Sequence, residues 1–218
     1  MFRQKGMSKK ELRAPDEFQL FIMSLTRKYG NYWKVALCVL IAVIVIPLVV
    51  AGSSYLQKKK QDQSSFAFFE LTKKITPLNP EDRIKEIDNF ISKFDGTKSS
   101  VQAEILKGKI LFDLKKFKEA KALYIDALTK TSDKNFKNFF KFNIALCNQL
   151  LGNQNEALDG FLALKSQPLF AADATFFMAL HYESAKDIPK AKGLYKEIVD
   201  NYKNSLYFNV SKLKYELL

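Results

Sequence analysis

The side chains that ordinarily carry catalysis are few in this sequence and poorly spaced for it. His181 is the only histidine and stands between Leu180 and Tyr182, so neither a His-based metal cluster nor a paired-His zincin motif can form. Cys38 and Cys147 allow one disulfide at most, and Cys38 lies inside an apolar run, which excludes a stapled secreted scaffold. Asp16-Glu17 and Glu81-Asp82 are adjacent pairs that share no helix face, so they read as charges at helix starts, not as a general acid and base. Asn209-Val210-Ser211 matches a glycosylation triplet, a pattern short enough to arise by chance. There is no Gly-rich phosphate loop, nucleophile elbow or metal-ligand spacing. The expectation is a protein without catalysis, cofactor, metal or small-molecule substrate.

The 218 residues have room for one ordinary domain plus extras. Only 8 Gly and 6 Pro, among abundant Lys, Phe, Leu and Ala, fit an all-α chain. Lys+Arg number 35 against 23 Asp+Glu, a net charge of +12, but the positive charge is interleaved with acids along the chain. Arg83 is the only arginine after position 34, so the dense basic stripe with arginine readers that nucleic acid demands is missing.

Between Lys34 and Lys58 there is no charged residue, and 35–50 is almost purely Val, Ile, Leu and Ala. About twenty uncharged residues at 1.5 Å per residue span a hydrocarbon core of ~30 Å. Tyr32 and Trp33 on one flank and Tyr55 on the other suit the membrane interface. Pro47 is tolerable inside such a helix. A cleaved signal peptide would need a short basic leader, whereas 34 residues precede this run. One transmembrane helix over 32–57 is the reading, with membrane contact through 35–57. Arg27, Lys28 and Lys34 on one side are matched by Lys58-Lys59-Lys60 on the other, so charge leaves the orientation open.

Ahead of the anchor, residues 1–31 form a tail containing an amphipathic helix. Pro15-Asp16-Glu17 is a good helix opening, and Phe18, Phe21, Ile22, Leu25 and Tyr29 follow on one face. This helix would lie on the bilayer, dock on a membrane partner, or continue the transmembrane helix, with Gly30-Asn31 as a break.

Beyond a linker at 58–63, the chain repeats itself. Ala120, Ala157 and Ala191 are each followed four residues later by an aromatic (Tyr124, Phe161, Tyr195) and seven residues later by Ala127, Leu164 and Ile198. Twelve residues before each alanine stands a small residue, Gly108, Ala145 or Ala179. These stretches resemble the paired helices of a tetratricopeptide repeat, in which small residues let two helices approach closely. Repeats beginning at 101, 138 and 172 follow a divergent first unit with helices at 64–76 and 80–94, where Asn79 is the cap and Pro80 the first helical residue. The segment after 205 reads as a terminal cap. Residues 64–218 are thus expected to form an α-solenoid of about four helical hairpins plus a capping helix.

Such arrays bind other proteins along their first helices. The fifth position of each first helix is Phe68, Ile105, Phe142 and Phe176, with Val210 in the cap; Phe112, Phe139 and Leu180 lie nearby, and Lys109, Asp173 and Glu183 would be polar rims. This column would either receive an apolar segment of a partner or pack within the protein's own core.

The layout resembles the YfgM-like ancillary subunits of the bacterial Sec translocon, through Asp16-Glu17-Phe18 leading into Tyr32-Trp33-Lys34 and the apolar run, and through divergent repeats with Gly108, Ala120 and Ala157. The resemblance implies a single-pass bacterial inner-membrane protein with a cytoplasmic N-terminus, periplasmic repeats and partners among translocon and chaperone proteins. Two other roles compete with an accessory subunit. One is a structural scaffold, self-associating around a large envelope machine such as a flagellar motor. The other is a cytoplasmic adaptor whose lysines, beginning at Lys58, grip anionic lipid.

Overall fold

The computed structural model describes residues 17–30 and 32–218, and among them every regular element is a helix. The chain divides into two compact units at Lys58/Lys59. In the first, α1 (Glu17–Tyr29) begins with an acid in its first turn, where the helix dipole favours negative charge. Phe18, Phe21 and Ile22 are exposed along it. The expected opening at Pro15-Asp16 and the break at Asn31 lie outside the described residues, as do the side chains of Leu25, Tyr29 and Trp33.

Helix α2 (Trp33–Ile75) contains the uncharged run and Pro47. It is the one helix among the described residues long and apolar enough to cross a membrane. From 35 to 56 every residue is exposed except Ala42, which is half-buried. An apolar surface of this extent needs a non-aqueous environment or a partner. The residues expected as a linker, 58–63, are helical within α2. Their sequence, Lys-Lys-Lys-Gln-Asp-Gln, contains neither Gly nor Pro and consists mostly of strong helix formers, so nothing local ends the helix.

The second unit comprises the rest of α2, then α3 (Pro80–Lys93), α4 (Lys98–Asp113), α5 (Phe117–Lys130), α6 (Lys134–Leu150), α7 (Gln154–Leu164), α8 (Ala171–Ser184), α9 (Ile188–Asn201) and α10 (Phe208–Leu217). Its packing already begins at the linker residues. The Lys60 ammonium donates to the Asp95 carbonyl at 2.8 Å, and the Gln61 side chain accepts from the Lys98 amide at 2.9 Å. Asn79 caps α3 by accepting from the Asp82 amide at 2.9 Å, with Pro80 following. The pairs α4/α5, α6/α7 and α8/α9 are antiparallel hairpins, and each packs chiefly on its sequence neighbours, as a solenoid requires. The interior is four successive clusters instead of one central core.

The repeating residues meet at the waist of each hairpin. Ala120, Ala157 and Ala191 are fully buried, and Tyr124, Phe161 and Tyr195 are buried with them. Ala127, Leu164 and Ile198 close the same interfaces, and Gly108, Ala145 and Ala179 face them from the first helices. The end of the Tyr124 ring occupies the place where a Cβ on Gly108 would stand. At the next hairpin, a Cβ on Gly160 would come within 2.7 Å of the Ala145 methyl.

The hairpin turns share one geometry. Lys115, Gly152 and Lys186 have φ of 58°, 85° and 62°. In each case the next residue's amide donates to the carbonyl five residues back: Lys116 to Leu111, Asn153 to Asn148 and Asp187 to Tyr182, at 2.8–2.9 Å. This is the Schellman ending, which places a left-handed residue just past the helix and favours glycine there. Two lysines hold that position here, each at a cost of about 1 kcal/mol.

In thermal melts of the full chain in detergent, followed by circular dichroism, Gly108→Ala is expected to destabilise the repeat unit by about 1–3 kcal/mol through overpacking. Lys115→Gly is expected to stabilise it by up to about 1 kcal/mol. Equal effects of the two changes would disprove this account of the hairpin.

Candidate binding surface

The expected groove residues lie on the first helices α4, α6 and α8 and on the C-terminal part of α2, but they do not form a freely exposed strip. Phe68 contacts the Phe90 ring at 5.7 Å. Ile105, Phe112 and Phe139 border one cluster around Tyr124, with Phe112 and Phe139 each 6.3 Å from its ring. Phe142 sits among Phe161, Phe170 and Phe177 at 5.4–6.0 Å. Each of these keeps a partly exposed edge, as does Leu180.

Phe176 is the exception, only 8% exposed and stacked on Tyr207 at 4.2 Å. Its ring is covered by the turn before α10. Two of the three expected polar rims, Asp173 and Glu183, are also engaged within the chain. Asp173 accepts from the Tyr207 hydroxyl at 3.2 Å, and Glu183 accepts from the Tyr195 hydroxyl and from Lys214. Lys214 first, and Tyr195 second, hold the Glu183 carboxyl below its ordinary range. Tyr207 was not singled out in the sequence because it lies in a turn, outside the helical periodicity.

Lys109 is exposed and lines an open cavity of about 370 Å³ between the end of α2, the start of α3 and α4. Thr72, Thr76, Arg83, Leu106 and Asp113 share that cavity. Arg83 is held there by donating to the Leu78 and Thr76 carbonyls at 2.8 and 2.7 Å. The cavity thus combines an apolar floor with one fixed guanidinium, one lysine and one carboxylate.

His181 is half-buried and pairs with the Gln154 side chain at 3.1 Å, bridging two hairpins. Burial pushes the Cys147 thiol up to about 11, which leaves it unreactive at neutral pH. Among the described residues no three His, Cys, Asp or Glu side chains gather to hold a metal.

These hairpins, with a small residue opposing an aromatic at each waist, match a known family. Residues 28–175 match the family described as Tetratricopeptide repeat-like domain, more than half of the chain. The chain belongs to that family. Solved tetratricopeptide structures share the fold at low identity. A crystal structure of MamA superposes with a TM-score of 0.54 at 15% identity, covering 71% of this chain and 82% of that one. A tetratricopeptide repeat protein from Parabacteroides merdae ATCC 43184 gives 0.54 at 15% identity, covering 72% and 59%. MamA from Desulfovibrio magneticus RS-1, residue 41 to its end, gives 0.51 at 13% identity, covering 72% and 88%. No curated protein matches by sequence. At these identities the likeness speaks for the tetratricopeptide fold alone.

One buried acid escaped the sequence reading. Glu104 on α4 is only 2% exposed. Burial pushes its carboxyl up to about 7 against the pull of Lys130, while Asp126 and Asp95 push the same way as burial and Lys107 opposes them. The signal was there: Glu104, Gly108 and Leu111 fall on one helical face, and the other two are core positions. A folded pKa raised from 4.5 means that the folded state binds more protons than the unfolded one. Its stability contribution is therefore full at low pH and is lost as pH rises from about 4.5 to about 7. Glu104→Gln is expected to remove that loss, leaving the chain more stable than wild type at pH 8 by on the order of 3 kcal/mol. Denaturant melts from pH 5 to 8 read this directly, and parallel curves for the two proteins would rule it out.

Proposed function

We propose that this tetratricopeptide protein is a membrane-anchored binding module, an accessory subunit of an envelope complex that holds partner proteins without catalysing a reaction. The observation that supports it most is the pairing, in one chain, of a tetratricopeptide array with a 23-residue uncharged helical run exposed over nearly its whole length. Such arrays stack repeats to present extended binding surfaces. An exposed apolar helix of this length is satisfied by lipid.

In this reading 35–57 spans the bacterial inner membrane, the N-terminus is cytoplasmic and the repeats face the periplasm near the Sec translocon. The orientation rests on the resemblance to YfgM-like subunits, because the flanking lysines are balanced. The partner would lie along the first helices, using the cavity at Lys109 and the exposed edges of Phe112, Phe139 and Phe142. A cytoplasmic lipid-binding adaptor makes the opposite topological demand.

The test has two arms. A cysteine at Asn204, with Cys38 and Cys147 replaced, is expected to react in intact cells with a reagent that crosses only the outer envelope; protection until the inner membrane is broken would favour the adaptor. Captured from detergent-solubilised membranes, Lys109→Glu is expected to hold its partner about tenfold more weakly, ~1.4 kcal/mol, with helicity unchanged. Undiminished capture would remove the cavity from the binding surface.

A further inference from the structure

Helix α1 has an apolar side that the rest of the chain leaves uncovered. Phe18, Phe21 and Ile22 are 69%, 59% and 42% exposed, and among the described residues no substantial contact joins α1 to another helix. Their spacing, continued in the sequence by Leu25 and Tyr29, is the one that gathers residues along one side of a helix. Gln19 and Arg27, both exposed, fall on the opposite half. Leaving two phenyl rings and an isoleucine in water costs free energy, so this side calls for an occupant.

Where α1 is tethered decides what it meets. The chain leaves helical geometry at Gly30, so α1 and α2 are separate helices and α1 is no simple continuation of the apolar run. Only residues 30–32 stand between them. The four steps from Tyr29 to Trp33 reach at most about 14 Å. The charge-free run begins two residues further on, at Val35. With that run across a bilayer, the last turn of α1 is held at or just above the interfacial zones, which together add about 10–15 Å to the hydrocarbon core. The 13 residues of α1 make a rod about 20 Å long. Standing upright, the rod would carry Phe18 and Phe21 out into water. Lying flat, it buries them at the height where its other end is already fixed.

Charge favours the same arrangement. Residues 1–34 carry eight Lys and Arg against three Asp and Glu, a net +5 that anionic headgroups attract. Lipid also stands at that height by the same reading that puts α2 across it, so no further molecule is needed to cover the stripe.

We propose that α1 is an interfacial helix lying along the bilayer surface, with Phe18, Phe21 and Ile22 at the edge of the acyl chains and Arg27 among the headgroups. The proposal rests on the reading of 35–57 as a membrane span. A helix along the surface, joined by three residues to one across it, fixes the depth of the span and its rotation about its own axis.

The test places the full chain, with Cys38→Ala and Cys147→Ala, in nanodiscs of phosphatidylcholine and anionic phosphatidylglycerol. Phe18→Cys, Gln19→Cys, Phe21→Cys, Ile22→Cys, Arg27→Cys or Val43→Cys, one at a time, carries a spin label. Its exposure to lipid-soluble oxygen and to a water-soluble nickel chelate is measured. The oxygen-to-nickel ratio should be severalfold higher at 18, 21 and 22 than at 19 and 27, and similar among the first three. Phe18→Glu should lower the ratio at 21 and 22 without moving it at 43. A ratio that falls steadily from 27 to 18 means an upright helix. Nickel exposure at all five positions means a helix left in water for a protein to cover, since the nanodiscs hold no partner. Either result overturns the interfacial helix and, with 43 still in lipid, leaves the span standing. Nickel exposure at 43 sinks the membrane reading and the interfacial helix with it.

Discussion

The close approach of two helices over a residue with almost no side chain is the constraint on which the repeat unit depends. Gly108, Ala145 and Ala179 bring the first helix of each hairpin near enough for Tyr124, Phe161 and Tyr195 to reach across the interface and be buried. That contact sets the hairpin spacing, and the spacing sets where the next first helix finds its groove. The aromatic payload buried on each crossing is large, while the turn that precedes it carries strained lysines at Lys115 and Lys186. The packing outweighs the strain.

The apolar run of α2 obeys a different constraint. Its residues are chosen for what surrounds them, since almost none from 35 to 56 is covered by protein. Water drives the aromatic waists together in the second unit, and the apolar run of the first unit calls for a non-aqueous environment or a partner.

The fold was legible where a physical requirement recurs in register. Ala120, Ala157 and Ala191, each with an aromatic one turn on, announce three hairpins, and Asn79-Pro80 announces α3 to the residue. Legibility failed where one residue type serves two purposes. Lys58, Lys59 and Lys60 suit a solvated linker and a helix equally, and the helix prevailed because no Gly or Pro opposes it. Lysine at a left-handed turn leaves no trace of the kind glycine does, so the shared Schellman geometry emerged only from the backbone. Glu104 was legible only through the helical face it shares with Gly108 and Leu111, because a single carboxylate on a helix normally faces water. Among the expected groove residues, the covering of Phe176 by Tyr207 was not visible, because it depends on how the chain turns into α10.

The four separate core clusters give this array mechanical character. Each joint between hairpins is a layer of side chains, and the main contacts among the described residues run between helices that follow one another in the chain. Small rotations at successive joints therefore add in series, as compliances do in a spring. A load applied along the row would be taken up as a change of superhelical pitch shared over all the joints before any single cluster has to open.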